Sequence, residues 1–304
     1  VRVVIVPEED GMAQFTTREI TPEIGCEISG LDVRRLADPA ILAEVKALIG
    51  KHHMLCFKDQ QLGAQEMVDF TEHFGEPDSH ILRQYTHRDH PAVYVISNIE
   101  DRLATVNDVS LNWHTDLAFK THPSAFVILH AETVPEKGAD TCFASMQRIY
   151  KALTDEEKAL LRGRLATYSY VRLHAKRTKI EPLTAPLSPQ QMAESPDVYH
   201  PLRRRHPDTG EEILYLNLPD CMGIEGFEEE RALGIIKGLF DRITDPAHVY
   251  AHKWSVGDLV IWDNRTLLHA ATWFDAERYR RRMLRTCVKG EKPMSSVPLR
   301  AAAE

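Results

Sequence analysis

The chain has 304 residues, 43% of them hydrophobic and 27% charged, the balance of an ordinary globular protein with interior enough for one large domain or two. Its 37 Lys and Arg against 45 Asp and Glu leave a net charge of −8, so neither nucleic acid nor an anionic membrane is expected as the main partner. The five cysteines, Cys26, Cys56, Cys142, Cys221 and Cys287, are dispersed with no CxxC pair, which argues against a zinc ribbon or disulfide scaffold and fits a reducing, cytoplasmic setting.

The opening Val1-Arg2-Val3-Val4-Ile5-Val6 is too short to span a bilayer and runs into Pro7-Glu8-Glu9-Asp10, without the features of a signal peptide. Met12 offers an alternative start, so residues 1–11 are expected as an N-terminal extension of a single domain over 12–304. Residues 21–33 alternate apolar and polar with glycine punctuation, which predicts short strands. Ile41, Leu42, Val45, Leu48 and Ile49 recur at helical spacing over 39–50, and a second amphipathic helix over 64–74 ends at Gly75. Between them, 53–58 reads as a buried strand.

Residues 77–90 are polar and irregular, followed by strands over 92–97, 113–119 and 126–132. A helical stretch over 145–161 contains Thr154, a natural N-cap before Asp155-Glu156-Glu157. Residues 172–196 are polar and proline-bearing without a period, and read as a long loop or lid. A strand over 213–217 follows the turn signal His206-Pro207-Asp208-Thr209-Gly210. A helix over 228–243 and strands over 250–254, 259–262 and 282–289 complete the chain. Short strands between turns, with a few helices outside, predict a mainly β fold, a barrel or jelly roll with flanking helices. No GxGxxG or GxxxxGK[ST] pattern is present, so dinucleotide and P-loop readings lack their signature.

The chemistry concentrates in Trp113-His114-Thr115-Asp116 and in Trp262-Asp263-Asn264-Arg265, followed by His269. On a strand, His114 and Asp116 leave the same face. A second histidine completes a two-histidine, one-carboxylate set that holds Fe(II) and leaves positions open for reaction. With 15 histidines and 45 acidic residues, chance matches are expected. His87-Arg88-Asp89 lies in a charged stretch, His206-Pro207-Asp208 precedes a turn whose side chains should face water, and His130-Ala131-Glu132 sits in an apolar strand. A buried polar pair after Trp113 needs a partner. A metal supplies one, and a plain His–Asp hydrogen bond in the core is an equal alternative. Further on, Arg281, Met283 and Arg285 share a strand face, so two guanidiniums can enter one cavity, where they suit carboxylates and sulfonates.

With these residues the chain resembles the taurine dioxygenase and phenoxyalkanoate-herbicide dioxygenase family of Fe(II)/2-oxoglutarate-dependent oxygenases. The resemblance runs from about Ile20 to Pro293. It is carried by Ile24-Gly25-Cys26-Glu27-Ile28-Ser29-Gly30, Phe74-Gly75-Glu76, Trp113-His114-Thr115-Asp116, Gly138-Ala139-Asp140-Thr141, Arg205-His206-Pro207 with Gly210, Trp262-Asp263-Asn264-Arg265 and Gly290-Glu291-Lys292-Pro293. It implies a double-stranded β-helix (jelly roll), with Fe(II), 2-oxoglutarate as cosubstrate and O2. It implies His114, Asp116 and His269 as iron ligands, and Thr141 and Arg281 on the far carboxylate of 2-oxoglutarate. The spacing from His269 leaves other arginines of the 278–285 cluster open as alternatives to Arg281.

For the substrate, the resemblance implies Arg285 on an anionic group and His80 beside it. Arg83 stands where the family has a tyrosine, with Tyr85 two residues on, and Ser110 replaces a substrate-facing asparagine. The implied reaction is hydroxylation of a small anionic substrate such as a sulfonate or aryloxyalkanoate, with cleavage where the hydroxyl lands beside S, O or N. The implied assembly is a homo-dimer or homo-tetramer. Three rivals remain: an isonitrile-forming oxidase acting on N-carboxymethyl amino acids, faintly matched by the 85–91 stretch; a non-catalytic jelly-roll binding protein; and a zinc hydrolase.

Overall fold

The structure, a computed structural model, describes residues 1–8, 11–78, 85–99, 113–180 and 186–299. Its elements in chain order begin with β1 (Arg2–Glu8), β2 (Gly11–Glu19), β3 (Cys26–Ser29), α1 (Pro39–His52), β4 (Met54–Phe57), α2 (Ala64–Glu72), β5 (Tyr94–Ser97), β6 (Ser124–Thr133) and β7 (Thr141–Ser145). There follow α3 (Met146–Ala152), α4 (Asp155–Leu161), β8 (Leu165–Tyr168), α5 (Tyr170–Ile180), α6 (Pro189–Ala193), β9 (Val198–Pro201), β10 (Arg203–Arg205), β11 (Glu212–Leu214), β12 (Cys221–Ile224) and α7 (Glu229–Ile243). The chain closes with β13 (Tyr250–His252), β14 (Leu259–Asp263), β15 (Leu267–Ala271) and β16 (Arg282–Lys289). The fold is mainly β with flanking helices, and no helix among the described residues is long and apolar enough to cross a membrane.

The chain divides into two compact units. The first joins Val1–Asn112, Ser124–Ala144 and Val249–Gly290. Its main sheet has the order β1-β2-β3-β4-β14-β6-β16-β5, antiparallel except for the parallel β3–β4 pair. One face buries Phe57, Ile128, Ile261 and Leu284 under α1 and α2. The opposite face presents Met54, Leu129, Trp262 and Met283, which pack on Phe143 and Leu267 of a second sheet, β13-β7-β15. Covering on both faces explains why β14 is buried at every position and its apolar residues run on rather than alternate.

Helix α1 starts where Asp38 accepts hydrogen bonds from the N–H groups of Ala40 and Ile41, with Pro39 at its first position. It stops at His53, whose φ of 60° ends the turn and turns the chain into β4. Residues 1–8 are folded: β1 pairs with β2 along its whole length, and Val4 and Val6 are buried in the core.

The second unit joins Trp113–Pro123, Ser145–His248 and Glu291–Glu304. It contains the sheet β12-β8-β9, the β10–β11 pair and helices α3 to α7. The stretch read as one helix over 145–161 is two, because Thr154 restarts the chain with a reciprocal capping box: its hydroxyl accepts from Glu157 N–H, and Glu157 accepts from Thr154 N–H at 2.8 Å.

Three expectations are corrected here. Residues 113–119 are not a strand: His114 makes an isolated bridge and the chain turns at once, with Leu117 at φ 58°. The stretch 172–196 is not an irregular loop, since α5 and α6 occupy much of its described part. His206 does not face water. It is buried, and its Nδ1 accepts from the N–H groups of Asp208 and Thr209 to hold the 206–210 turn.

Candidate active site

His114 and Asp116 lie on the turn that opens the second unit. Their side chains converge without a strand, His114 Nε2 standing 3.8 Å from Asp116 Oδ1. Two buried residues hold that turn. Asn217 accepts a hydrogen bond from the Thr115 N–H at 3.1 Å, between the two candidate ligands, and is itself oriented by donating to Asp220 at 2.6 Å. His200 Nε2 faces the carbonyls of Ala118 and Lys120 at 2.9 and 3.0 Å. Carbonyls only accept, so that nitrogen carries the proton. Burial pushes the His200 pKa down to about 4 despite these bonds. The Phe119 ring packs on Tyr170, the first residue of α5, at 4.5 Å between centroids.

His269 lies on β15 in the first unit, one strand the sequence reading did not assign. The turn before it is fully buried and knitted by its own polar groups. Arg265 Nε and Nη2 bond Asp263 at 2.9 and 2.7 Å, Arg265 stacks over Phe126, and Asn264 donates to the carbonyls of Ala125 and Ser124. This polar turn fixes where β15 begins. His269 is then braced by Trp262, its ring centroid 4.8 Å away.

Thr141, Arg281, Arg285 and Tyr85 belong to the same unit. Thr141 opens β7 after a turn that needs glycine: at Gly138, φ 76°, a Cβ would run into the Trp273 carbonyl. Asp140 and Thr272 then exchange two hydrogen bonds, tying the start of β7 to the chain just past β15. Arg281 immediately precedes β16, held by its N–H on Asn98 Oδ1. Its guanidinium is buried, Nε has no hydrogen-bond partner among the described residues, and burial pulls its pKa down to about 10. A buried cation without a counter-charge is costly unless a ligand supplies one. A carboxylate in the fork of Arg281 is the group that fits.

Arg285 follows on β16, where alternation puts it with Met283 and Cys287 toward the second sheet. Its guanidinium lies 5.5 Å from the Tyr94 ring, which meets Tyr85 edge-on at 5.8 Å. His80, Arg83 and Ser110 lie outside the described residues.

The competing histidines have other uses. His130 Nε2 contacts the Gln60 carbonyl, as a core histidine does, and His87 Nδ1 accepts from Asp89 N–H in an exposed turn. Cys56, His252 and Asp258 form another buried group with metal-ligand geometry. Asp258 is already paired with Lys58, and His252 Nε2 approaches its other oxygen at 3.2 Å while Tyr250 bonds Nδ1 at 3.0 Å. Burial pushes the Cys56 thiol well up. A cation here would displace an ammonium and deprotonate a buried thiol, so the group is better explained as packing and ion pairing beside β13. Sequence reasoning missed Asn217, His200 and Trp254, the last of which donates from Nε1 to Thr141. All three act from distant segments, and no local pattern marks them.

Comparison with known proteins agrees with this chemistry. The family model described as taurine catabolism dioxygenase TauD, TfdA family matches residues 16–287. An (S)-phenoxypropionate/alpha-ketoglutarate-dioxygenase of Delftia acidovorans is 30% identical over 276 residues, covering 86% of this chain and 91% of that protein. A taurine dioxygenase from Burkholderia xenovorans superposes with a TM-score of 0.75 at 26% identity, covering 93% of each chain. The protein AAD-2, solved with Mn(II) and N-oxalylglycine, superposes with a TM-score of 0.74 at 26% identity, over 92% of this chain and 98% of that one. A match across most of the length, reached independently by sequence and by fold, means that the chain belongs to the TauD, TfdA family and is an oxidoreductase, a dioxygenase using Fe(II), 2-oxoglutarate and O2.

Proposed function

We propose that this dioxygenase oxidises a small anionic substrate, an aryloxyalkanoate or a sulfonate, within a double-stranded β-helix, and that its own residues divide the work as follows. His114, Asp116 and His269 would hold the iron: two imidazoles and one carboxylate are a donor set that suits Fe(II). Arg281 and Thr141 take the far carboxylate of 2-oxoglutarate. Arg285 takes the anionic group of the substrate, with Tyr94 and Tyr85 as an aromatic wall beside it. Substrate-binding roles for His80, Arg83 and Ser110, which lie outside the described residues, and a lid role for 172–196 are part of the same proposal.

The observation that carries the reading is Arg281, a buried guanidinium with no counter-charge among the described residues. Bound iron, with 2-oxoglutarate and O2, supplies an oxidant that converts a C–H bond to C–OH as 2-oxoglutarate goes to succinate and CO2. The task left to the side chains is to align one C–H bond and to keep others away. Arg285 does the first by anchoring the anionic end. Two tyrosine rings beside a guanidinium favour an aryloxyalkanoate, whose ring they can stack, over an aliphatic sulfonate. The five free cysteines support a reducing cytoplasmic setting.

Anaerobic Fe(II) with 2-oxoglutarate is expected to give a weak visible charge-transfer band. His114→Ala is expected to abolish it while the circular dichroism stays native, and an unchanged band would refute the ligand assignment. Substrate-dependent succinate release is then measured across aryloxyalkanoates, sulfonates and N-carboxymethyl amino acids. Aryloxyalkanoates are expected to give the most succinate, and a response confined to N-carboxymethyl amino acids would replace the proposed substrate class. Light scattering tests the implied homo-oligomer.

A further inference from the structure

Thr141 is a buried hydroxyl with one hydrogen bond among the described residues, and in that bond it is the acceptor. The donor is the indole Nε1–H of Trp254, 3.0 Å away. An indole N–H can only donate, and a hydroxyl has one proton of its own to give. With Trp254 occupying a lone pair, the Thr141 O–H must point elsewhere, and no described residue takes it. Leaving a buried O–H unpaired is costly, so the geometry calls for an acceptor that arrives with a ligand.

Trp254 is itself held firmly. It lies two residues beyond β13, whose His252 pairs in register with Thr141. The His252 ring meets the Trp254 indole at right angles, 4.7 Å between centroids. His252 in turn has the Tyr250 hydroxyl on Nδ1 at 3.0 Å and an Asp258 oxygen 3.2 Å from Nε2. Asp258 is anchored by Lys58, whose ammonium burial would weaken but whose bond to Asp258 holds above its ordinary pKa. A run of side-chain contacts therefore leads from Lys58 through Asp258 and His252 to Trp254 and Thr141.

We propose that Trp254 is a positioning residue for the cosubstrate: by filling a lone pair of the Thr141 hydroxyl it aims the O–H at the far carboxylate of 2-oxoglutarate. This rests on the assignment of Thr141 to that carboxylate. Trp254 then acts through Thr141 alone, touching neither iron nor cosubstrate. Its effect is confined to 2-oxo acids that carry a second carboxylate. A residue that merely packed would affect all 2-oxo acids alike.

The test is anaerobic titration of the Fe(II) enzyme with 2-oxoglutarate and with 2-oxopentanoate, which lacks the second carboxylate, followed through the charge-transfer band. Thr141→Val and Trp254→Phe are each expected to weaken 2-oxoglutarate binding by about three- to tenfold, the effect of one hydrogen bond, and to leave 2-oxopentanoate unchanged. The double variant is expected to be no weaker than Thr141→Val. If Thr141→Val weakens 2-oxoglutarate while Trp254→Phe does not, the role of Trp254 is overturned and the Thr141 assignment stands. If Trp254→Phe weakens both acids equally, the residue only packs and the proposal is again overturned. If Thr141→Val has no effect, the underlying assignment fails and the proposal with it. Should Trp254→Phe not fold, 3-benzothienylalanine at 254 keeps the ring shape and removes only the N–H, and the same outcomes apply.

Discussion

At the scale of single residues, the proposed anion recognition rests on two arginines four positions apart. Arg281 is sealed and Arg285 is cushioned by an aromatic ring. The sealed one should be the more demanding. Arg281→Leu is expected to weaken 2-oxoglutarate by roughly 10- to 100-fold, since a charge-assisted bond contributes about 1.5–3 kcal/mol, and to leave the unfolding midpoint unchanged or higher because a buried charge is gone. Titration calorimetry with N-oxalylglycine and a thermal melt read both halves. Unchanged affinity would move the role to another arginine of the 278–285 cluster. The sequence made both arginines legible, because strand alternation alone assigns them a common face. It did not show which is buried, since that depends on what β5, β6 and Asn98 bring from elsewhere.

Local elements show how two residues can be grouped together through an incorrect element. His114 and Asp116 were grouped by strand periodicity, yet they lie on a bridge followed by a turn with a left-handed Leu117. Two residues apart, a turn brings side chains together as readily as a strand does. What makes this turn durable is tertiary: Asn217 and His200, roughly 100 and 80 residues away, bond its backbone. Spacing carries no trace of such partners. The helices with clear apolar periods, α1 and α7, were legible to within two residues, because capping and periodicity are local. Strand β15 was not, since it is short and follows a polar turn whose burial comes from the Asp263–Arg265 pair and Asn264.

The pinned turn also carries a pH signature. Burial holds the His200 pKa at about 4, below the unfolded value of about 6.5. Between those values the unfolded chain binds a proton that the native state refuses. Stability is therefore full above about pH 6.5 and falls as the pH drops toward 4, by up to on the order of 3 kcal/mol from this group. Urea denaturation at pH 7 and pH 4.5 measures the difference. His200→Gln keeps a donor and removes the titration, so its stability should vary less over that interval. Equal slopes in the two proteins would rule out His200 as the source.

For the molecule as a whole, composition, charge and dispersed cysteines narrowed the class, and ordered motifs over most of the length identified the family. The substrate stayed coarse because His80, Arg83 and Ser110 stand in stretches of sequence where neither periodicity nor capping constrains the side chain. The N-terminal strand has a different lesson. β1 is the outer strand of the main sheet, with Val4 and Val6 buried beneath and Val3 and Ile5 outward. Removing residues 1–10 uncovers what those two valines shield. At about 1.5–3 kcal/mol for each buried valine, the shortened protein should lose roughly 3–6 kcal/mol, read from its urea midpoint. An unchanged midpoint would mean that β2 closes the sheet unaided. A chain that lost β1 to proteolysis would thus keep every proposed active-site residue and carry a larger unfolded fraction, so a clip at this edge would lower the amount of working protein without touching a residue of the proposed chemistry.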